Sequence, residues 1–211
     1  MFLLFNRSGL AGPLYLLGII ASVWLCAPVL EPWLVYDRTA IAGGEIWRLL
    51  SGHLTHTNLH HLLLNSAGLA LLWILHGMHY KIPRFFSAVA LIGLGIGIGL
   101  YLISPDTDIY LGLSGVLHGL IIWGGMLDIR AGMRTGYLLV AGGWGKVMWE
   151  QWFGASGATA QMIDAAVAVD AHLLGAMFGT LLGIMSLIRA HRHAAAPFSL
   201  NTHSHEPGDG A

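Results

Sequence analysis

The 211-residue chain reads as an all-α, polytopic membrane protein built as a bundle of six transmembrane helices. Three observations predict this. Hydrophobic residues make up 55% of the chain and charged residues only 10%, and mean hydropathy is +0.67. The charges also fall at intervals that leave apolar runs of about 20 residues, the length that crosses a hydrocarbon core. A soluble domain of this composition would lack the polar surface to stay dispersed. A net charge of −1 with no basic stripe excludes nucleic-acid binding. The one cysteine, Cys26, leaves no disulfide framework. Trp24 and Leu25 are too bulky for a small-residue cleavage site before it, so the first apolar run is expected to be a retained helix.

Each helix is bounded by polar punctuation. The first lies between Arg7 and Glu31, the second runs from Asn58 to His79, and the third lies between Arg84 and Asp106. The fourth lies between Asp108 and Asp128, the fifth between Arg134 and Asp164, and the sixth between Asp170 and Arg189. Residues 1–190 thus form one membrane domain, and 191–211 are expected to be a disordered cytoplasmic tail. Arg7, Lys81, Arg84, Arg130, Arg134, Arg189 and Arg192 fall on one side, with only Arg38 and Arg48 on the other. The termini are therefore predicted cytoplasmic, and helices two, four and six run inward from the outer face.

Ser114, His172, His61 and Asn65 all occupy the first two turns of those three inward-running helices, at a similar depth. One such group is ordinarily a helix-to-helix hydrogen bond. Four at one level point to a functional site, because polar groups are costly in hydrocarbon unless they face an interior or a wet cavity. Ser114 is the candidate nucleophile, in a first helical turn whose backbone N–H lacks an intrahelical partner. His172 is the candidate general base. His61 and Asn65, four apart, share a helical face and can aim donors at one developing oxyanion. Asp170, two residues from His172, faces elsewhere and suits a helix cap, so the expected arrangement is a dyad. His118 is a rival base, since helical side chains lean toward the N-terminus; packing beneath the dyad is its favoured role.

Gly175, Gly179 and Gly183 on helix six and Gly115 and Gly119 on helix four permit a close approach of the two backbones. Gly93, Gly95, Gly97 and Gly99 lack the spacing of a nucleotide loop and are assigned to packing or to a flexible helix. Lys146 and Glu150, four apart in the middle of the fifth span, read as a structural ion pair. His53, His56, His60 and His61 find no acidic or thiol partner at metal-site spacing, and the tail histidines suit a solvated segment, so neither a metal nor a cofactor is expected.

Trp47-Arg48, His56, His61-x-x-x-Asn65, Gly112-x-Ser114-Gly115, and Ala171-His172 with Gly175 and Gly179 together resemble the signature of the rhomboid family of intramembrane serine proteases. The resemblance covers about half of the chain, and the motifs are specific as an ordered set. It implies a Ser114–His172 dyad, oxyanion stabilisation by His61, Asn65, Gly112 and the Ser114 backbone, and support from His118 and His56. It also implies a mobile cap from Gly154 to Ala168. His118 stands where many rhomboids carry tyrosine. The Ser114-to-Gly119 stretch and the Lys146/Glu150-Gln151 pattern look closer to the rhombosortase branch. That likeness implies a bacterial inner-membrane location, with the site near the periplasmic side. The implied partners are membrane-anchored exported proteins whose C-terminal transmembrane tail carries Gly-Gly. An inactive rhomboid-like binder of membrane clients is the alternative, disfavoured by an intact Ser114 and His172. A small transporter is poorer still, since no inverted repeat is visible.

Overall fold

The structure, a computed structural model, describes residues 9–195, so most of the expected tail lies outside the described residues. The last helix continues to Ala195, past the expected boundary at 190. Ten helices and one two-residue β-pair are described. Six helices have 15 residues or more: α1 (Ala11–Leu25), α5 (Leu59–His76), α6 (Ile82–Ile103), α7 (Ser114–Arg130), α8 (Thr135–Phe153) and α10 (Val169–Ala195). One of them falls within each of the six intervals expected to hold a helix, in the same order. Three are long and apolar enough to cross a membrane: α5 with its following turn (Leu59–His79), α6, and α10 through Arg189. The 17-residue α7 is about 26 Å long, close to a hydrocarbon thickness.

The first span differs from expectation. Between α1 and α2 (Ala27–Leu34) the chain bends by 107°. Cys26 leaves helical geometry, with φ −100° and ψ 15°, and Pro28 sits in the first turn of the new helix. Proline suits a first turn, where its missing N–H is no loss. The first loop continues through α3 (Arg38–Ala42) and α4 (Arg48–Ser51). Arg48 is buried there and donates to the carbonyls of Pro32 and Val35 and to Glu45. Residues Tyr36–Asp37 (β1) pair antiparallel with Ile109–Tyr110 (β2), tying this loop to the segment just before Ser114.

The interior mixes apolar and polar groups, while the outside is oily. Ile92, Ile96 and Leu100 of α6, Leu120 and Trp123 of α7 and Leu69 of α5 are buried, beside His61, Asn65, Glu150 and His172. Leu63, Leu71, Leu91, Ile98, Leu181 and Ile184 are exposed, a collar suited to lipid. Asp128, at the far end of α7, is buried between His76 (2.9 Å) and His79 (2.7 Å). Buried charge needs such partners.

The glycines set the packing as expected. A methyl on Gly175 would strike the Gly115 carbonyl, and one on Gly179 the Gly119 carbonyl, so α7 and α10 run parallel in backbone contact. The α6 glycines form two interleaved four-residue ridges. Gly93 and Gly97 lie against His53 and Leu49 of the first loop, and Gly95 and Gly99 against Phe178 and Leu174 of α10.

Candidate active site

Three helix beginnings and one helix end meet at the site. Ser114 is the first residue of α7, and His172 lies in the first turn of α10. With the backbones in contact at Gly115 and Gly175, the Ser114 Oγ lies 3.0 Å from His172 Nε2. His61 and Asn65 are in the first two turns of α5, whose N-cap Asn58 accepts from the His61 N–H. These four residues line a cavity of about 580 Å³, with Glu150, Lys146 and part of the 154–168 stretch.

Glu150 corrects the sequence reading. His172 Nδ1 donates to Glu150 Oε2 at 2.8 Å, and Lys146 Nζ reaches the same oxygen at 2.8 Å. A fifth span filling the whole interval between Arg134 and Asp164 places Lys146 and Glu150 near its middle. The helix instead ends at Phe153, where Gly154 takes φ 78°, a conformation glycine adopts freely. Because α8 runs against α7 and α10, its last turn lies beside their first turns. A carboxylate therefore backs His172, and the expected two-residue arrangement has a third member in contact.

Both ring nitrogens of His118 are engaged away from the Ser114 hydroxyl. Its Nδ1 donates to the Ser114 carbonyl at 2.8 Å, which leaves Nε2 to accept from Lys146 at 2.7 Å. Its ring stacks on His172, with centroids 4.0 Å apart. An imidazole thus stacks on His172 from the position where many rhomboids carry tyrosine. His118, Glu150 and His172 offer donor atoms close enough together for a metal. The Lys146 ammonium already contacts two of them, a poor fit for a second cation.

The expected oxyanion donors divide. Asn65 is 3% exposed and lines the cavity beside Ser114, and its buried Nδ2 has no hydrogen-bond partner, which leaves it an unused donor. The Ser114 N–H opens a helix and has no partner along it. Gly112 corrects the reading: its N–H donates to the Gly52 carbonyl and is not free for an oxyanion. Its φ of 111° instead brings its backbone against the His61 ring, where a side chain would not fit. Thr57 Oγ1 donates to the Ile163 carbonyl at 2.6 Å and so accepts from His61 Nδ1 at 3.1 Å. A neutral His61 then carries its lone pair on Nε2, and it donates there only when doubly protonated. His56 is buried against His61, ring centroids 5.0 Å apart, and holds that ring edge-on.

The 154–168 stretch contains α9 (Gly157–Ile163), whose last carbonyls are held by Thr57 and Asn58. The sequence profile of the Rhomboid domain matches residues 43–189, well over half of the chain. The chain belongs to the rhomboid family. Rhomboids are intramembrane serine proteases that act on membrane proteins within the bilayer, and the oily collar around an interior that holds buried polar groups agrees with an integral membrane rhomboid. The matched stretch begins in the first loop, so α1 and α2 lie outside it. Comparison with curated proteins finds no match.

Proposed function

We propose that this rhomboid is an active serine endopeptidase working through Ser114 and His172. The observation that carries the proposal is the 3.0 Å contact of the Ser114 hydroxyl with His172 Nε2, the nitrogen left unprotonated when Nδ1 donates to Glu150. Ser114 Oγ attacks the substrate carbonyl carbon as its proton passes to His172 Nε2. The negative oxygen is met by Asn65 Nδ2 and the Ser114 N–H. Collapse breaks the C–N bond, and the leaving amine takes the proton from His172. Water, deprotonated by the same imidazole, then attacks the ester and regenerates Ser114.

The protein sits in a bacterial inner membrane with six spans, both termini cytoplasmic and the site near the periplasmic side. Charge placement supports this orientation. Lys81, Arg84, Arg130, Arg134 and Arg189 lie toward or beyond the far ends of helices whose beginnings carry the site. Arg38 and Arg48, the exceptions, are engaged by backbone carbonyls. The substrates are exported proteins anchored by a C-terminal transmembrane tail and cut near a Gly-Gly pair, as in the rhombosortase branch. The Lys146/Glu150-Gln151 pattern supports this choice. Glycine removes side-chain bulk and helix propensity at the scissile bond, so the segment unwinds readily.

A reporter ending in Gly-Gly, an apolar helix and a basic tip, co-expressed with the protein in bacteria, tests the function. The expected result is a shortened, released reporter with the wild type and an intact one with Ser114→Ala or His172→Ala. Equal cutting of a reporter lacking Gly-Gly overturns the substrate class, and shortening that persists in Ser114→Ala overturns the function.

A further inference from the structure

Glu150 is 8% exposed, in a setting where an ionised carboxylate needs compensation. A structural i,i+4 pair with Lys146 would need only its own helix. Instead the same oxygen, Oε2, also accepts from His172 on α10, at the ring nitrogen opposite the one facing Ser114. Two consequences follow from that placement. Nδ1 is held as the protonated nitrogen, which leaves the Nε2 lone pair toward the hydroxyl. The positive charge that His172 acquires on taking the serine proton also lies beside a fixed negative one.

Lys146 extends the chain of contacts. Its side chain is 48% exposed toward the cavity, and its ammonium bridges Glu150 Oε2 and His118 Nε2. His118 in turn is fastened to the Ser114 carbonyl and stacked on His172. The circuit Ser114–His172–Glu150–Lys146–His118 closes on the residue where it starts.

We propose that Glu150 is a positioning residue that makes this centre a Ser114–His172–Glu150 triad, with Lys146 as the counter-ion that keeps the carboxylate ionised. The proton from Ser114 stops on His172; Glu150 orients the ring and does not take the proton. This inference rests on the protease reading above.

The test is the rate of covalent labelling of the full-length, detergent-solubilised protein by a fluorophosphonate, resolved into kinact and KI. Glu150→Gln preserves size and removes the charge. It is expected to lower kinact by about 100-fold or more, with KI and the unfolding temperature unchanged. Glu150→Asp restores the charge and recovers part of kinact. Lys146→Gln lowers kinact by less, because His172 keeps its acceptor. Wild-type kinact in Glu150→Gln, or no recovery in Glu150→Asp, overturns the triad, and wild-type kinact in Lys146→Gln overturns the counter-ion role. If Glu150→Gln does not fold, Glu150→Asp decides: a reduced but measurable kinact supports the triad, and an unchanged one overturns it. Failure of the wild type to label at Ser114 defeats the protease reading itself, which separates the two failures.

Discussion

The ring of His118 lies on the ring of His172, centroids 4.0 Å apart and planes within 22° of parallel. The stack supports the imidazole whose Nε2 faces Ser114, while both nitrogens of His118 are occupied by the Ser114 carbonyl and Lys146. Such a ring contact contributes about 1 kcal/mol, so His118→Ala is expected to slow fluorophosphonate labelling roughly fivefold. His118→Phe, which keeps an aromatic face, should recover most of that rate. A complete loss in His118→Ala, matching His172→Ala, would instead make His118 the base.

Backbone contact between α7 and α10 makes Gly175 intolerant of even a methyl group. Gly175→Ala would press on the Gly115 carbonyl and is expected to cost ~1–3 kcal/mol by overpacking. Gly142→Ala, on α8, meets no neighbour within 4 Å and should be neutral or stabilising by about 0.5–1 kcal/mol. Thermal unfolding of the two variants in detergent checks the contrast.

Arg38 fastens the first loop to the end of α6. Its guanidinium donates to the carbonyls of Leu100, Tyr101, Ser104 and Thr107, where the helix stops just before Pro105. Removing it with Arg38→Met leaves those acceptors without a cation and is expected to lower stability by about 2–3 kcal/mol. Arg38→Lys should rescue little, because one ammonium cannot reproduce the planar fork. The readout is again the unfolding midpoint.

His56 gives the first loop a pH dependence. It is buried beside His61, neither ring nitrogen has a protein partner, and burial pushes its pKa down to about 3. The unfolded chain binds this proton near pH 6.5, while the folded one resists it until about pH 3. The contribution of His56 to stability is therefore fully present above pH 6.5 and is lost on acidification from there toward pH 3. His56→Leu should reduce the slope of that part of the curve, with buried His53, pushed down to about 4, accounting for a further share. An unchanged slope in the variant would show that the proton is taken up elsewhere.

The periodic parts of this fold are legible in the sequence, and so is the meeting of most residues of the candidate site. Apolar runs between charges locate the six long helices, and polar residues in the first turns of three of them mark one depth. Glycines at four-residue spacing then announce the contact that brings Ser114 to His172. Three features are not legible, each for a local reason. The bend at Cys26 depends on how Pro28 is used, and a proline near a helix start is compatible with either a straight or a broken span. The Tyr36–Tyr110 pairing joins segments more than seventy residues apart through backbone groups that carry no side-chain signature. The role of Glu150 hinges on where α8 stops. Gly154 is the available signal: placing the helix end there moves Glu150 from mid-membrane to the level of His172.

The central claim, that Ser114 is a nucleophile activated by His172, is tested most directly by labelling the solubilised wild-type protein with a fluorophosphonate and locating the adduct by mass spectrometry. One adduct on Ser114, absent from Ser114→Ala and His172→Ala, is the predicted result. An adduct on another residue, or undiminished labelling of His172→Ala, would contradict the account.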